Sequence, residues 1–238
     1  MTRRNTAALA AVALVTAAMT AGIGAQSQEP PKVKIPEAGV PQIMTLEGQY
    51  IRVAYNNEGY AVLGYRLANS TIGEDWMLLE VGLTVREKVP DYKLTREAIS
   101  LETPDGKTLP APTMEEYRSA NVRSLEERSK VIRDSINYFP PSVSRGCRIG
   151  FFAPLEVPAT AWDSVELSSE RGCVGRLFFK IPGGITYGQH WLNIKFANSL
   201  VRVPFRILTV EEQKTLNKHY KSIEKQVKEA FAPPKKKK

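Results

Sequence analysis

The sequence predicts a mainly β protein, an antiparallel β-sandwich with a helical insertion and a C-terminal amphipathic helix. Three observations lead to this fold class. Short segments of alternating apolar and polar residues recur along the chain, turn signals separate them, and only two stretches show helical periodicity instead. A chain of 238 residues, of which 42% are hydrophobic, is long enough for one large domain or two small ones.

Residues 1–25 have the layout of a secretory signal peptide. Two arginines give a positive start, the uncharged run 7–19 follows, and small residues surround an expected cleavage point after Ala25. The alternative is a permanent membrane span, which a run rich in alanine and interrupted by threonine does not favour. Residues 26–47 follow as a proline-rich linker. We therefore expect a secreted or periplasmic protein.

Eight to ten strands are predicted within residues 48–208, which form the expected β-sandwich domain. Their residues either alternate between apolar and polar types or form short apolar runs of the kind that central strands show. In chain order the segments are residues 50–55, 60–67, 76–85, 98–102, 107–109, 147–152, 164–167, 174–181, 189–196 and 200–208.

Turn signals separate these strands. The clearest is Pro-Asp-Gly at residues 104–106, where proline fixes φ and glycine accepts a positive φ. Residues 56–59, 183–184 and 197–199 are predicted hairpin turns between neighbouring strands. Pro204 has no N–H to donate, so the last strand is predicted to lie at a sheet edge.

Residues 114–139 interrupt the strand pattern. They contain no Gly or Pro, and their apolar residues recur near helical spacing, so the segment is predicted to form one or two helices before Pro140 and Pro141. Adjacent carboxylates on these helices, at 115–116 and 126–127, are expected on solvated faces.

The long strand at residues 81–85 and the following Leu101-Glu-Thr-Pro-Asp-Gly-Lys resemble the small secreted Ig-like β-sandwich domains of bacteria. Those domains often join a long strand to a hairpin of the form L-x-x-x-D-G-K. The resemblance covers residues 48–210 loosely and implies an extracytoplasmic, non-catalytic domain of Ig-like type. It assigns no functional residues, and the insertion departs from its pattern.

Cys147 and Cys173 are the only cysteines, and in an exported chain they are predicted to form one disulfide. Closing a loop of this size should stabilise the fold by about 3–4 kcal/mol. The alternatives are a redox-active pair or a metal site, but the spacing fits neither Cys-x-x-Cys nor a zinc ligand set.

Four arginines surround the two cysteines in the sequence. If the disulfide joins the two segments, their guanidinium groups converge in a small basic patch that could meet an acidic partner. The four are Arg145, Arg148, Arg171 and Arg176.

Residues 209–231 are predicted to form the C-terminal helix, which begins with the capping box Thr209-Val-Glu-Glu212. Apolar residues separated by three or four positions form a narrow seam on an otherwise charged helix. The seam either packs on its own domain, which is the simpler interpretation, or binds a partner, a second copy or a lipid surface. A lysine-rich tail, 232–238, would add weak contact with an anionic surface. The seam consists of Leu216, Tyr220, Ile223, Val227 and Phe231.

No motif for catalysis, cofactor binding or metal binding occurs. His190 and His219 are predicted to be structural or exposed. The aromatic residues could form a sugar-binding platform, but their alternation within strands favours core packing. The sequence does not exclude a glycosidase-type pair of carboxylates assembled from distant strands. The aromatic residues in question are Trp76, Trp162, Trp191, Tyr50, Tyr55, Tyr60 and Tyr65.

The net charge of +8 is concentrated at the chain ends. Residues 26–210 hold 22 Lys and Arg against 21 Asp and Glu, whereas residues 211–238 hold 9 Lys against 4 Glu. A nearly neutral body does not favour nucleic acid as a partner.

The sequence thus predicts a non-catalytic interaction or structural module of the bacterial envelope, whose partner is a protein or another envelope component. It predicts no cofactor. The alternative is a carbohydrate-binding protein or a hydrolase whose site no sequence motif marks. A solvent-open cleft with converging carboxylates or stacked tryptophans would favour that alternative, and a filled sandwich with an exposed helical seam would favour the module.

Overall fold

The computed structural model describes residues 43–155 and 160–230, with the backbone alone for Ile43, 223–224 and 226–230. Strands account for 41% of the structure and helices for 20%, which confirms the mainly β prediction. The expected signal peptide, residues 26–42 of the linker and the lysine tail lie outside the described residues.

Twelve strands form three sheets in the described part of the chain. They are β1 (Ile43–Gly48), β2 (Ile51–Tyr55), β3 (Gly59–Gly64), β4 (Trp76–Val85), β5 (Tyr92–Thr95), β6 (Ile99–Glu102), β7 (Thr108–Pro110), β8 (Arg145–Ile149), β9 (Ser164–Leu167), β10 (Arg171–Lys180), β11 (Gly188–Lys195) and β12 (Leu200–Ile207).

The largest sheet has six strands in the order β1-β2-β3-β4-β10-β8, and all its neighbours are antiparallel except the parallel pair β10 and β8. A four-stranded antiparallel sheet has the order β12-β11-β6-β7, and β5 pairs with β9 alone. The strand that carries Pro204, β12, lies at a sheet edge, as predicted.

The six-stranded and four-stranded sheets share one buried core. Alternate residues of β4, such as Leu79 and Leu83, belong to the same apolar cluster as Val203 and Phe205 of β12. Burying a side chain of this size contributes about 1.5–3 kcal/mol, so this shared face accounts for much of the stability.

The opposite, outer face of the six-stranded sheet carries a row of glycines. Gly64, Gly82 and Gly172 have no side chain to stand between the sheet and a segment that crosses it. A Cβ atom at Gly64 would lie 2.6 Å from the Cβ of Asp134, and one at Gly82 would lie 2.7 Å from the Phe139 ring. The glycines therefore form a seat for residues 132–144, which we call the strap.

The strap replaces the last part of the predicted helical insertion. Helices α1 (Met114–Ser119) and α2 (Arg123–Val131) form as expected, but helix ends at Val131, before the predicted end at Phe139. Tertiary contacts override the helical periodicity of this segment. Ile136 and Phe139 pack on the outer face of the sheet, and the Tyr60 hydroxyl donates to the Tyr138 carbonyl at 2.7 Å.

Three further features differ from the sequence prediction. The last residues of the expected linker, 43–47, belong to β1, which pairs with β2. Strand β5 was not predicted. Gly183 and Gly184, with φ of +88° and +87°, form a turn that carries the chain from the six-stranded sheet to the four-stranded one, so this turn does not close a hairpin.

Helix α3 (Val210–Ala230) begins as the capping box predicted. The backbone N–H of Glu212 donates to the Thr209 hydroxyl at 3.2 Å, and the Thr209 N–H donates back to the Glu212 carboxylate at 2.9 Å. The side-chain amide of Gln213 donates to the Tyr50 hydroxyl at 2.8 Å, which joins the first turn of α3 to the domain.

Candidate functional site

A cavity of about 580 Å³ lies on the outer face of the six-stranded sheet. Its walls are α2, the first half of the strap, strands β10 and β8, and the chain just after β8. The insertion therefore creates a concave surface that a plain sheet would lack. The lining residues used below are Glu80, Glu126, Lys130, Arg133, Asp134, Arg148, Phe152, Val174, Arg176 and Phe178.

Strand register decides which side chains reach this cavity. Val174 of β10 pairs with Arg148 of β8, and Arg176 pairs with Glu80 of β4. Because alternate residues point to opposite faces, Val174, Arg176 and Phe178 share the outer face. Val174 and Phe178, together with Phe152, give the cavity an apolar wall.

Three buried carboxylates also line the cavity, and each accepts hydrogen bonds from the protein. Glu80 accepts from the Asp134 N–H at 2.6 Å, and Asp134 accepts from the N–H and the Nε of Arg66 at 2.8 and 3.0 Å. Glu126 accepts from the Tyr117 hydroxyl and, at 3.4 Å, from the Leu155 N–H. These acids hold the strap, α1 and α2 in place.

Burial raises the pKa of Glu80 above its ordinary value of 4.5, and the negative charge of Asp134 adds to the rise. The hydrogen bond from the Asp134 N–H and the charges of Arg133 and Arg176 act in the opposite direction. Burial and the neighbouring Glu126 carboxylate raise the pKa of the Tyr117 hydroxyl, so Tyr117 remains the donor in that pair.

Four cationic side chains stand around the same cavity: Lys130, Arg133, Arg148 and Arg176. Arg176 donates to the Ser129 carbonyl at 3.2 Å, and the Arg133 Nε lies 3.7 Å from Glu80 with most of its side chain exposed. The side chain of Arg148 makes no hydrogen bond or ion pair with any residue that the structure describes, although its backbone belongs to the β8–β10 pairing. Lys130 pairs with Glu127 at 2.7 Å, so the unfilled donors beside the apolar wall belong to Arg148 and Arg176.

The disulfide between Cys147 and Cys173 forms as predicted, and it places the four neighbouring arginines on two faces. The cysteines are paired in register on β8 and β10, with their Cα atoms 4.2 Å apart. Arg148 and Arg176 face the cavity. Arg145 and Arg171 pair with each other on the opposite face, where Arg171 lies 3.8 Å from Glu166.

The helical seam is only partly described. Leu216 is half-buried and Tyr220 is 47% exposed, while the side chains of Ile223, Val227 and Phe231 lie outside the described residues. The described half of the seam therefore contributes little to the buried core.

The aromatic residues named from the sequence do not assemble into one platform. Tyr50 packs edge-on against Tyr65, and Tyr55 stacks on Tyr60 beneath the strap. Trp162 is half-exposed over Gly150, and the other two tryptophans lie elsewhere: Trp191 under Arg202, and Trp76 beside the core.

The two histidines lie in different environments. His190 is fully buried and stacks on Phe205, and burial lowers the pKa of its ring. His219 is exposed on α3. Neither histidine lines the cavity.

The sequence did not single out Glu80, Arg133 or Asp134, and it placed Glu126 on a solvated face, which is wrong because Glu126 is 7% exposed. One signal was available. Glu80 is the only charged residue in the apolar run of β4, and a carboxylate at a buried strand position requires a specific partner.

Comparison with known proteins gives no relative: no family model, curated protein or solved structure matches this chain. Across the described ranges, no three side chains from His, Cys, Asp and Glu are grouped as a metal site. No helix in those ranges has the length and apolar character needed to span a membrane.

Proposed function

We propose that this protein is an exported Ig-like β-sandwich that acts as an interaction module of the bacterial envelope, with the cavity beneath its insertion as the recognition site. The observation that carries the proposal is that Arg148 and Arg176 have guanidinium donors without acceptors among the described residues, in a concave site with an apolar wall. The signal-like N-terminus and the disulfide support an extracytoplasmic location.

The hydrogen bonds of the carboxylates favour binding over catalysis. A general acid or base must exchange a proton with a substrate within hydrogen-bond reach. Glu80, Asp134 and Glu126 instead accept hydrogen bonds from the strap, from Arg66 and from α1, so using them for chemistry would disturb the elements that form the cavity.

A hydrolase is the second candidate, and one observation favours it. Glu80 and Glu126 line the same open cavity, and the pKa of Glu80 is raised, which is a property of general acids. Release of a chromogenic glycoside or ester that is lost in Glu80→Gln, with folding retained, would support this candidate over the binding module.

A site-specific crosslinking experiment tests the binding module. A photoreactive amino acid replaces Asn137, an exposed cavity residue of the strap, or Lys195, an exposed residue of the four-stranded sheet, in cells that produce the protein. We expect a discrete crosslinked partner from position 137 that position 195 does not give, and that Arg148→Gln diminishes. Identical products from both positions would contradict the recognition site.

The export proposal has its own test. Amino-terminal sequencing of the protein from the envelope fraction should begin near Gln26, immediately after the expected cleavage point. Recovery of the chain from the cytoplasm with residues 1–25 still attached would contradict it.

A further inference from the structure

We propose that the cavity binds a carboxylate attached to an apolar group, with the carboxylate held by Arg148 and Arg176 and the apolar group against Val174 and Phe178. This inference rests on the proposed recognition site and names the ligand class that the site takes. The ligand is either the C-terminal residue of a polypeptide or a free carboxylic acid, since both present the same chemistry.

The two arginines are placed to share one ligand. Arg148 pairs in register with Val174, and Arg176 stands two residues further along β10 on the same face. Strand spacing and rise put their Cβ atoms roughly 8 Å apart. Two extended arginine side chains can meet across that distance, so both guanidinium groups can reach a single carboxylate.

Hydrogen-bond capacity is unfilled at these two residues. A guanidinium group has five N–H donors in a planar fork and matches a carboxylate with two parallel hydrogen bonds. Arg176 donates to the Ser129 carbonyl, whereas Arg148 makes no contact of this kind with the described residues. The remaining donors belong to the exposed Arg148 and the partly buried Arg176, so they are open to solvent and hence to the acceptors of a ligand.

The charges around the cavity favour an anionic ligand. Its three carboxylates already accept internal hydrogen bonds, and Asp134 is paired with Arg66 from outside the cavity. Lys130 pairs with Glu127 at 2.7 Å and Arg133 lies 3.7 Å from Glu80, so Arg148 and Arg176 are the cationic lining residues that form no ion pair with the described residues. A cationic ligand would meet these side chains as like charges.

The apolar wall of the cavity further restricts the chemical class of the ligand. Phe178 and Phe152 already pack against Tyr117 and are only 2% and 7% exposed, so the half-buried Val174 offers most of the apolar surface that a ligand could contact. The ligand group beside it must itself be apolar to avoid leaving polar atoms without partners. A second negative charge against this wall would be costly to desolvate. A monoanion with an apolar group therefore fits better than a phosphate dianion.

Binding of small probes to the intact protein tests the inference. The probes are 3-phenylpropionate, its uncharged amide, phenylphosphonate, and the dipeptide acetyl-Ala-Phe as free acid and as amide, titrated by NMR. We expect one or both carboxylates to shift resonances of Val174 and Phe178, and each amide to bind at least about tenfold more weakly, because charge-assisted hydrogen bonds are lost. Binding of the peptide acid alone would identify the source as a polypeptide terminus, and binding of the free acid would identify a small molecule.

Arg148→Gln should weaken carboxylate binding by about tenfold or more. Arg145→Gln is the matched control, since Arg145 lies on the same strand but faces away from the cavity, and it should leave binding unchanged. Circular dichroism confirms that both variants fold.

Three results would overturn the inference: no binding of either carboxylate, equal binding of acid and amide, or tighter binding of phenylphosphonate. The proposed function fails separately, because it is judged by crosslinking at position 137. A crosslinked partner without carboxylate selectivity removes the ligand class and leaves the recognition site in place.

Discussion

Replacing Gly64 with alanine should detach part of the strap from the sheet. The new Cβ would lie 2.6 Å from the Cβ of Asp134 and 2.9 Å from its carboxylate oxygen, closer than real Cβ contacts come. Asp134 must then move, and its movement disturbs the hydrogen bonds to the Arg66 N–H and Nε and the one that its own N–H donates to Glu80.

The expected loss follows from these contacts. Overpacking of a tightly packed site costs about 1–3 kcal/mol. Weakening one hydrogen bond to a charged group adds about 1.5 kcal/mol or more. We therefore expect Gly64→Ala to lower the free energy of unfolding by about 2.5–4.5 kcal/mol, a large share of the usual 5–15 kcal/mol.

Urea unfolding followed by tryptophan fluorescence and circular dichroism measures this change. Gly146→Ala is the matched control, because Gly146 lies on the outer face of the same sheet but a Cβ there meets nothing within 4 Å. Its free energy of unfolding should stay within about 0.5 kcal/mol of the parent value. Equal stability of the two variants would refute the idea that the glycines seat the strap.

Three further predictions follow from other contacts. The non-reduced protein should weigh two hydrogen atoms less than the reduced one, and replacing Cys147 and Cys173 with serine should cost about 2–5 kcal/mol; a free-thiol mass in the envelope fraction would contradict this. Because the folded-state pKa of Glu80 exceeds its unfolded value, its contribution to stability is largest below pH 4.5 and falls as pH rises through the folded-state pKa. Urea unfolding at pH 4–7 should show a smaller fall of the unfolding free energy with pH in Glu80→Gln, but not in the exposed-site control Glu127→Gln. Equal slopes in both variants would contradict Glu80 as the cause of the pH dependence. Tyr50→Phe removes the hydroxyl that accepts a hydrogen bond from α3, so amide exchange should quicken in the first turns of α3 and not in α2; unchanged exchange would show that other contacts hold the helix.

Much of the sheet structure was predictable because it depends on local alternation. The predicted bounds of β4 and β9 are the same as those in the structure, and the edge position of β12 follows from Pro204 alone. Capping of α3 was equally local, since the box needs only Thr209 and Glu212. In each case the deciding interaction lies within a few residues of the pattern.

The candidate site was harder to predict because its parts come from distant segments. Arg176 and Glu80 meet only because β10 pairs with β4, and no spacing along the chain records that pairing. The strap shows helical periodicity, and contacts with glycines far away in sequence override it. Sequence reasoning found Arg148 and Arg176 through their nearness to the cysteines, but it could not separate them from Arg145 and Arg171 without the register.

The disulfide also determines what a protease can do to this protein. Cys147 and Cys173 lie on parallel neighbours, so the chain between them leaves β8, passes through β9 and returns to β10 as a covalently closed ring. Phe152 and Pro154, two wall residues of the cavity, lie within that ring. After a single peptide-bond cut anywhere inside this ring, the disulfide would still hold β8 and β10 in one covalent molecule. Such a nicked protein would migrate as an intact chain until a reductant separated the two fragments.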